Sequence, residues 1–179
     1  MSDLRLQREL AYDGVARFIH WLVVLLIAAQ FVLGWTMPHV RHDTRPEGLI
    51  AWHLGVGATL IAAMLVRIVW RLTHRPPPDT ISPLLSLASR ITHFLLYAAL
   101  VVVPLLGWAN ASSRGWAVKL AGLLSLPDLA PVGSAAGHAA GDIHGVLAWI
   151  LFALICAHVA AALFHRFILR DGVLQRMLP

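Results

Sequence analysis

Four histidines lie within or at the margin of long apolar segments of this sequence: His20, His53, His144 and His158. An imidazole in hydrocarbon needs a partner, so an ionisable residue at membrane depth indicates a functional site. His144 and His158 are fourteen residues apart on one segment. That separation is nearly four helical turns and about 21 Å along the axis, so both rings point from one face. One helix could therefore offer a ligand to each of two cofactors stacked across a bilayer.

The chemistry that suits such histidines is the axial ligation of haem iron. Covalent attachment of a haem requires a Cys-x-x-Cys-His motif, and the sequence has a single cysteine, Cys156. This excludes an attached haem, an internal disulfide and a cysteine-ligated iron–sulfur cluster. Any haem is therefore of the b type, held by imidazoles and packing. The alternatives are hydrogen bonds between helices, a zinc site or a proton pathway.

Depth along the segments sorts the histidines into pairs. His53 and His144 each lie near the outer start of a segment, so we predict that they bind the iron of an outer haem. His20 and His158 lie toward the opposite side, so we predict that they bind the iron of an inner haem. His93 is the rival for the inner site, because it also lies near the inner start of its segment and depth alone does not exclude it.

Composition identifies the elements that must position these residues. Hydrophobic residues make up 59% of the chain and charged residues 13%, and the mean hydropathy is +0.73. Four apolar runs of about 20 residues are each long enough to cross about 30 Å of hydrocarbon. We predict an all-α membrane protein, a single four-transmembrane-helix bundle over residues 1–179, with helices at about 15–38, 48–73, 86–110 and 142–168. The long connection between the third and fourth helices is expected to form a short interfacial helix and an irregular cap over the outer end.

The basic residues predict the orientation in the membrane. Ten of the 14 fall on one side of the predicted bundle, which places both termini in the cytoplasm of a bacterial inner-membrane protein. The high pI of about 10.7 then reflects topology and contact with lipid headgroups, and the sequence has no nucleic-acid-binding motif. The ten residues are Arg5, Arg8, Arg17, Arg67, Arg71, Arg75, Arg90, Arg166, Arg170 and Arg176.

Six short segments spread over nearly the whole chain carry a family resemblance. They are Ile19-His20-Trp21-Leu22, Trp52-His53-Leu54-Gly55, Thr92-His93-Phe94-Leu95, Asp142-Ile143-His144-Gly145, the run from Ala157 to Leu163 and the tail from Asp171 to Pro179. In their order and spacing they resemble the prokaryotic cytochrome b561 family of small di-haem membrane proteins. The resemblance is closest to the members that oxidise superoxide and reduce ubiquinone.

The resemblance implies two haems b in the bundle. The inner haem would be bound by the first and fourth helices and the outer haem by the second and fourth, which agrees with the pairing by depth and disfavours His93. It also implies superoxide:ubiquinone oxidoreductase activity, in which electrons from superoxide on the periplasmic side pass through the two haems to ubiquinone.

Basic residues of the outer connections are candidates for attracting superoxide, because it is an anion that does not cross membranes. The bland alternative is that these charges are only solvated. The residues are Arg41, Arg45, Arg114 and Lys119.

Ubiquinone reduction needs two protons as well as two electrons, so its site should combine a nearby haem with titratable groups and access from lipid. At the cytoplasmic end, histidine can relay protons and arginine can hold a quinone oxygen or a haem propionate. Helix-end arginines, however, also snorkel to the interface for no catalytic reason. The quinone candidates are His93, His165, Arg71 and Arg90.

Two other functions fit the same histidines. The first is a cytochrome b electron-transfer subunit of a hydrogenase or dehydrogenase complex, although the short chain favours an enzyme without an obligate protein partner. The second is a small channel or transporter with polar histidines in its core.

Overall fold

The computed structural model describes residues 11–41, 43–78 and 81–178. Its main elements are four α-helices: α1 (Gly14–Thr36), α2 (Leu49–Thr73), α3 (Pro83–Ser113) and α4 (Ala135–Phe164). All four are long and apolar enough to cross a membrane, which confirms the predicted all-α four-helix architecture. Following the predicted orientation, we call the end that carries His53 and His144 the outer end and the opposite end the inner end. Arg5 and Arg8, which contribute to that orientation, lie outside the described residues.

Helix α4 begins earlier than the sequence predicts. It starts at Ala135 rather than near residue 142, because the Ser134 side chain caps it by accepting a hydrogen bond from the Gly137 N–H at 3.0 Å. A helix-capping serine before a run of alanines outweighs the later acidic residue as a start signal. Asp142 therefore lies inside the helix, and His144 stands more than two turns from its beginning.

The connection between α3 and α4 contains a β-hairpin, so the predicted interfacial helix is wrong. Strand β1 (Lys119–Leu120) pairs antiparallel with β2 (Leu124–Ser125). The turn between them has two residues in the left-handed region, Ala121 with φ 49° and Gly122 with φ 74°. Glycine adopts this conformation without steric cost, and a helix cannot continue through two such residues.

Neighbouring helices along the chain pack together, α1 with α2, α2 with α3 and α3 with α4. Their shared core is centred on Leu60, Met64 and Leu151, which are almost fully buried. Helices α1 and α4 meet through aromatic rings in the outer half, where Trp35 stacks on Trp149 at 6.1 Å between ring centroids. Toward the inner end, these same two helices carry His20 and His158.

The C-terminal tail folds back under the inner end. After α4, a π-helical turn (His165–Leu169) and a 3-10 turn (Leu174–Arg176) lead the chain toward α1. The Trp21 indole N–H donates to the Met177 carbonyl at 2.8 Å, and an Arg17 N–H donates to the Leu178 carbonyl at 2.8 Å. The tail is thereby attached to the inner half of α1.

Candidate functional site

His53 and His144 face each other across the outer half of the bundle. Their ring centroids are 6.2 Å apart and the ring planes are at 86°. Two imidazoles that share one metal ion through bonds of about 2 Å have centroids about 6 Å apart. The spacing between α2 and α4 therefore matches the requirement for two axial ligands on one iron.

The backbone of α3 orients the His144 ring. His144 Nδ1 donates a hydrogen bond to the Val103 carbonyl at 2.8 Å. A hydrogen bond of this kind fixes the tautomer of the ring and leaves Nε2 as the nitrogen that can bind a metal. Gly107, one turn further along α3, makes room for the ring. A Cβ atom at that position would lie 3.0 Å from both Cε1 and Nδ1 of His144.

Helix α1 gives His53 a similar environment. A Cβ atom at Gly34 would lie 3.4 Å from Cε1 of the His53 ring. The Gln30 side chain donates to the His53 backbone carbonyl at 2.9 Å, and it occupies the space beside Gly57. The Gln30 Oε1 atom is buried with no hydrogen-bond partner among the described residues, whereas the His53 ring interacts with the backbone of Gln30.

A small cavity lies at the outer pair. The cavity has a volume of about 30 Å³ and is lined by His53, His144, Gln30, Gly107 and Val118, among others. Hydrogen bonds from the surrounding backbone fix the orientation of an imidazole that binds a metal. The outer pair thus has the donor set, the spacing and the glycine-lined rings that a haem b requires.

The inner end gathers three histidines rather than two. The rings of His158 on α4 and His93 on α3 are 5.3 Å apart at 77°. His20 on α1 is close enough to both His158 and His93 to interact with them electrostatically, and Arg67 on α2 is close enough to His20 and His158. His93 Nδ1 donates to the Ser89 carbonyl at 2.7 Å. Geometry alone therefore leaves His20 and His93 as competing partners of His158.

A large cavity opens beside this cluster between α1, α2, α3 and the tail. Its volume is about 970 Å³. Three of the four quinone candidates line it, namely Arg71, Arg90 and His93. Apolar residues of α2 and α3 that face outward, such as Leu72 and Phe94, also line it, so the cavity is accessible from the lipid side.

His165, the fourth quinone candidate, lies apart from this cavity. Its Nδ1 atom hydrogen-bonds the Asp171 carboxylate at 2.5 Å. Burial opposes ionisation of Asp171, but hydrogen bonds from His165 and the Val173 N–H outweigh it and hold the pKa of this carboxyl below its ordinary value. In this structure His165 secures the start of the tail.

The basic residues predicted to attract superoxide are distributed over the outer connections. Arg114, at the end of α3, donates to the Arg41 backbone carbonyl at 3.2 Å and stacks over Trp116 at 5.4 Å. This contact joins the connection after α1 to the connection after α3. Lys119 is exposed on the hairpin and Arg45 on the connection before α2.

Sequence reasoning missed Gln30 and the specific roles of Gly34 and Gly107. An isolated amide in an apolar helix was the available signal for Gln30, since a polar side chain at membrane depth needs a partner. For the glycines the signal was weak, because small residues are common wherever membrane helices pack.

Comparison with known proteins identifies the family that the sequence resembles. Residues 11–179 match the family described as prokaryotic cytochrome b561. Cytochrome b561 homolog 2 of Escherichia coli (strain K12) is 29% identical over 170 residues, covering 93% of this chain and 90% of that protein. The probable superoxide oxidase CybB of Yersinia pestis is 28% identical over 167 residues, covering 90% of this chain and 92% of that protein. Cytochrome b562 of Cereibacter sphaeroides is 27% identical over 177 residues, covering 96% and 97% respectively.

Proposed function

This chain belongs to the prokaryotic cytochrome b561 family, and on that basis we propose that it is a di-haem b oxidoreductase of the bacterial inner membrane that oxidises superoxide and reduces ubiquinone. The family identifies it as a membrane electron-transfer protein that binds haem b. The further elements of the proposal are the number of haems, their ligands, the electron donor and the electron acceptor. When bound, the haems supply one-electron redox centres between the two membrane surfaces.

The observation that carries the proposal is the outer histidine pair. His53 and His144 would hold the outer haem, since their 6.2 Å spacing suits one shared iron. The Val103 carbonyl holds the His144 ring with Nε2 free. Hydrogen bonding of this kind also raises the basicity of an imidazole ligand.

His20 and His158 would hold the inner haem. Support comes from the resemblance of their flanking segments to the family and from their position on α1 and α4, both toward the inner end of the bundle. His93 competes for this role, but it also lines the large cavity. We assign His93 to the cavity, where its side chain could serve ubiquinone, the second substrate.

Superoxide is proposed as the donor on two grounds. One relative is named a probable superoxide oxidase, and four basic residues lie on the connections of the outer end. A small anion is drawn toward a positive surface, which raises its rate of encounter. Arg114 and Arg41, which are in contact, would form the centre of this surface, with Arg45 and Lys119 beside them.

Ubiquinone is proposed to bind in the large inner cavity. Arg71 or Arg90 would donate a hydrogen bond to a quinone oxygen, and His93 would deliver a proton to it, since imidazole exchanges protons near neutral pH. His93 is suited to this task because it lies between the cavity and His158. The overall reaction balances as two superoxide anions, one quinone and two protons giving two dioxygen molecules and one quinol.

The test is a superoxide pulse given to the purified holoprotein with excess ubiquinone, following haem reduction and ubiquinol formation together. We expect fast haem reduction and one ubiquinol for every two superoxide anions consumed. Superoxide dismutase added before the pulse is the control and should abolish both signals. Full haem content without superoxide-dependent reduction would contradict the proposal and point to a partner hydrogenase or dehydrogenase as the donor. Protein purified without haem from haem-replete cells would instead favour a channel or transporter.

A further inference from the structure

The C-terminal tail connects the inner ends of α4 and α1. It leaves α4 through the π-helical turn and reaches α1 with residues 174–178, which we call the strap. Helix α4 carries His158 and helix α1 carries His20. The strap therefore links the two helices that provide the proposed ligands of the inner haem.

Two side chains of α1 bind the end of the strap. The Trp21 indole N–H donates to the Met177 carbonyl at 2.8 Å, and an Arg17 N–H donates to the Leu178 carbonyl at 2.8 Å. The two donors are four residues apart, so they lie on one face of the helix. The Trp21 ring also packs edge to face against the His20 imidazole, with 5.5 Å between centroids and 71° between planes. The strap therefore holds a ring that lies against the proposed ligand.

Two further hydrogen bonds fix the strap to the segments before α1 and after α2. The Tyr12 N–H donates to the Arg176 carbonyl at 3.2 Å. An Arg176 side-chain N–H donates to the Pro78 carbonyl at 2.7 Å. Together with the bonds from α1, these contacts hold three consecutive residues, 176–178, in one position.

Helix α1 depends on such contacts more than α2 does, because it buries less of its own surface. Within α1 only Ile19 and Val23 are buried, whereas α2 has six buried residues. Burial of apolar surface provides much of the energy that keeps a helix in place. The inner half of α1 is therefore a part of the bundle in which a few hydrogen bonds can decide the position of the helix.

The separation of α1 and α4 must be fixed if one iron is to be bound from both. Two imidazoles on one metal ion are held by bonds of about 2 Å, and the groups of such a site have to be placed within about 0.5 Å. The helices pack closely in the order α1, α2, α3 and α4. Aromatic rings such as Trp35 and Trp149 connect α1 with α4 in the outer half, and the strap connects them at the inner end.

We propose that the strap is a positioning element of the inner haem site, an inference that rests on the proposed assignment of His20 and His158 as its ligands. By binding Trp21 and Arg17, the strap holds α1 at the distance from α4 at which both imidazoles reach one iron. Trp21 and Arg17 are positioning residues, since they act through His20. The outer pair lies at the other end of the bundle and does not depend on the strap.

The test uses the haem-loaded full-length protein with Trp21→Phe and Arg17→Met combined. Phenylalanine keeps a ring beside His20 but has no N–H, and methionine removes the guanidinium donor. Trp52→Phe is the matched control, because it removes an indole N–H next to the outer ligand His53 from a side chain that is 68% exposed. Trp21→Phe alone replaces the double variant if that variant does not fold.

Two measurements separate the haems. Their release to an excess of a haem-binding apoprotein is followed by absorbance, and a redox titration gives the midpoint potential of each. The inner haem is identified as the one missing from His20→Ala. We expect the double variant to release the inner haem about tenfold faster, as the loss of two hydrogen bonds predicts, and to shift its midpoint potential. The outer haem should keep the wild-type release rate and potential.

Two further variants sharpen the result. Arg17→Lys retains a charged donor and should stay close to wild type. Trp52→Phe should leave the inner haem unchanged. Inner-haem release in the double variant at the wild-type rate would overturn the proposal, and so would equal acceleration for both haems, because the strap would then only stabilise the fold. Retention of both haems in His20→Ala would instead contradict the ligand assignment in the proposed function, so the two failures are distinguishable.

Discussion

The two ends of the bundle present their histidines in opposite ways. At the outer end, His53 and His144 face each other beside a cavity of about 30 Å³, and the β1–β2 hairpin contacts α2 nearby. At the inner end, His93 and His158 adjoin a cavity of about 970 Å³ that is accessible from lipid. The outer end leaves only a small space beside the two rings, whereas the inner end has a large cavity lined by several charged groups.

This difference suggests a division of labour. The small space beside His53 and His144 leaves little room for a lipid-soluble molecule, but an electron could still enter there from a small donor in water. An open cavity beside the membrane interior admits a lipid-soluble acceptor and holds the groups that would supply its protons. The asymmetry is therefore what a protein needs if it takes electrons from the aqueous side and delivers them to a quinone in the membrane.

Removing His144 from the outer pair should have the largest effect. We expect His144→Ala to lose the outer haem, keep the inner haem and lower superoxide-dependent ubiquinol formation by at least about a hundredfold, since axial ligation holds a b-type haem. Absorbance spectra and haem content per chain measure the first effect, and the superoxide pulse measures the second. Retention of both haems would show that the outer pair has been assigned incorrectly.

Crowding the same ring without removing it should have an intermediate effect. In Gly107→Val, the added side chain collides with His144, and overpacking of about 1–3 kcal/mol corresponds to a roughly fivefold to hundredfold loss of haem affinity. The measurement is the fraction of haem that each variant retains in competition with a haem-binding apoprotein. Gly145→Ala is the control, because a Cβ atom there meets nothing within 4 Å. Equal haem retention in the two variants would argue against a role for Gly107 in making room for the His144 ring.

Changes in the open cavity should alter substrate binding and leave the haems in place. Loss of a hydrogen bond from a charged group costs about 1.5–3 kcal/mol, so we expect Arg71→Ala or Arg90→Ala to raise the KM for ubiquinone about tenfold. Arg170→Ala, at the same end but outside the cavity lining, should leave the KM unchanged. If all three arginine variants behave alike, the cavity is not the quinone site.

The smallest expected effect lies in the tail, at the His165–Asp171 hydrogen bond. The pKa of Asp171 is lowered in the folded protein, so its stabilisation is present above the ordinary carboxyl pKa of about 3.9 and disappears as the pH falls through the lower folded value. Because Asp171 is an exposed residue of the tail, wild type should exceed Asp171→Asn by only about 1–2 °C in Tm at neutral pH. Thermal unfolding at several pH values should show the two proteins converging in acid. A difference that persists below that range would assign the stabilisation to another contact.

The sequence was sufficient for the parts of the fold that depend on long apolar runs. The four helices followed from hydropathy, and the structure confirms them. The hairpin did not follow from the sequence, because alanine is not a residue type that favours a left-handed turn. The hydrogen bond from the Ala121 N–H to the Thr59 hydroxyl also joins residues far apart in the chain. The early start of α4 was missed because the helix was predicted from its apolar run, near residue 142, whereas the Ser134 side chain before the alanine run provides the cap.

The candidate site divides in the same manner. Depth along the helices was enough to bring His53 and His144 together, because only the apolar runs of α2 and α4 carry a histidine near the outer end. It was insufficient at the inner end, because the choice between His20 and His93 depends on how α1 and α3 rotate toward α4. Rotation is determined by packing of whole helix faces, which the positions of a few histidines do not reveal.

The most direct test of the account is the haem count per chain in wild type, His20→Ala and His93→Ala, measured as pyridine haemochrome against protein. Our account predicts two haems in wild type, one in His20→Ala and two in His93→Ala, with the His93 variant impaired only in quinone reduction. One haem in wild type would contradict the two-site arrangement. Two haems in His20→Ala with one in His93→Ala would show that His93, rather than His20, completes the inner site.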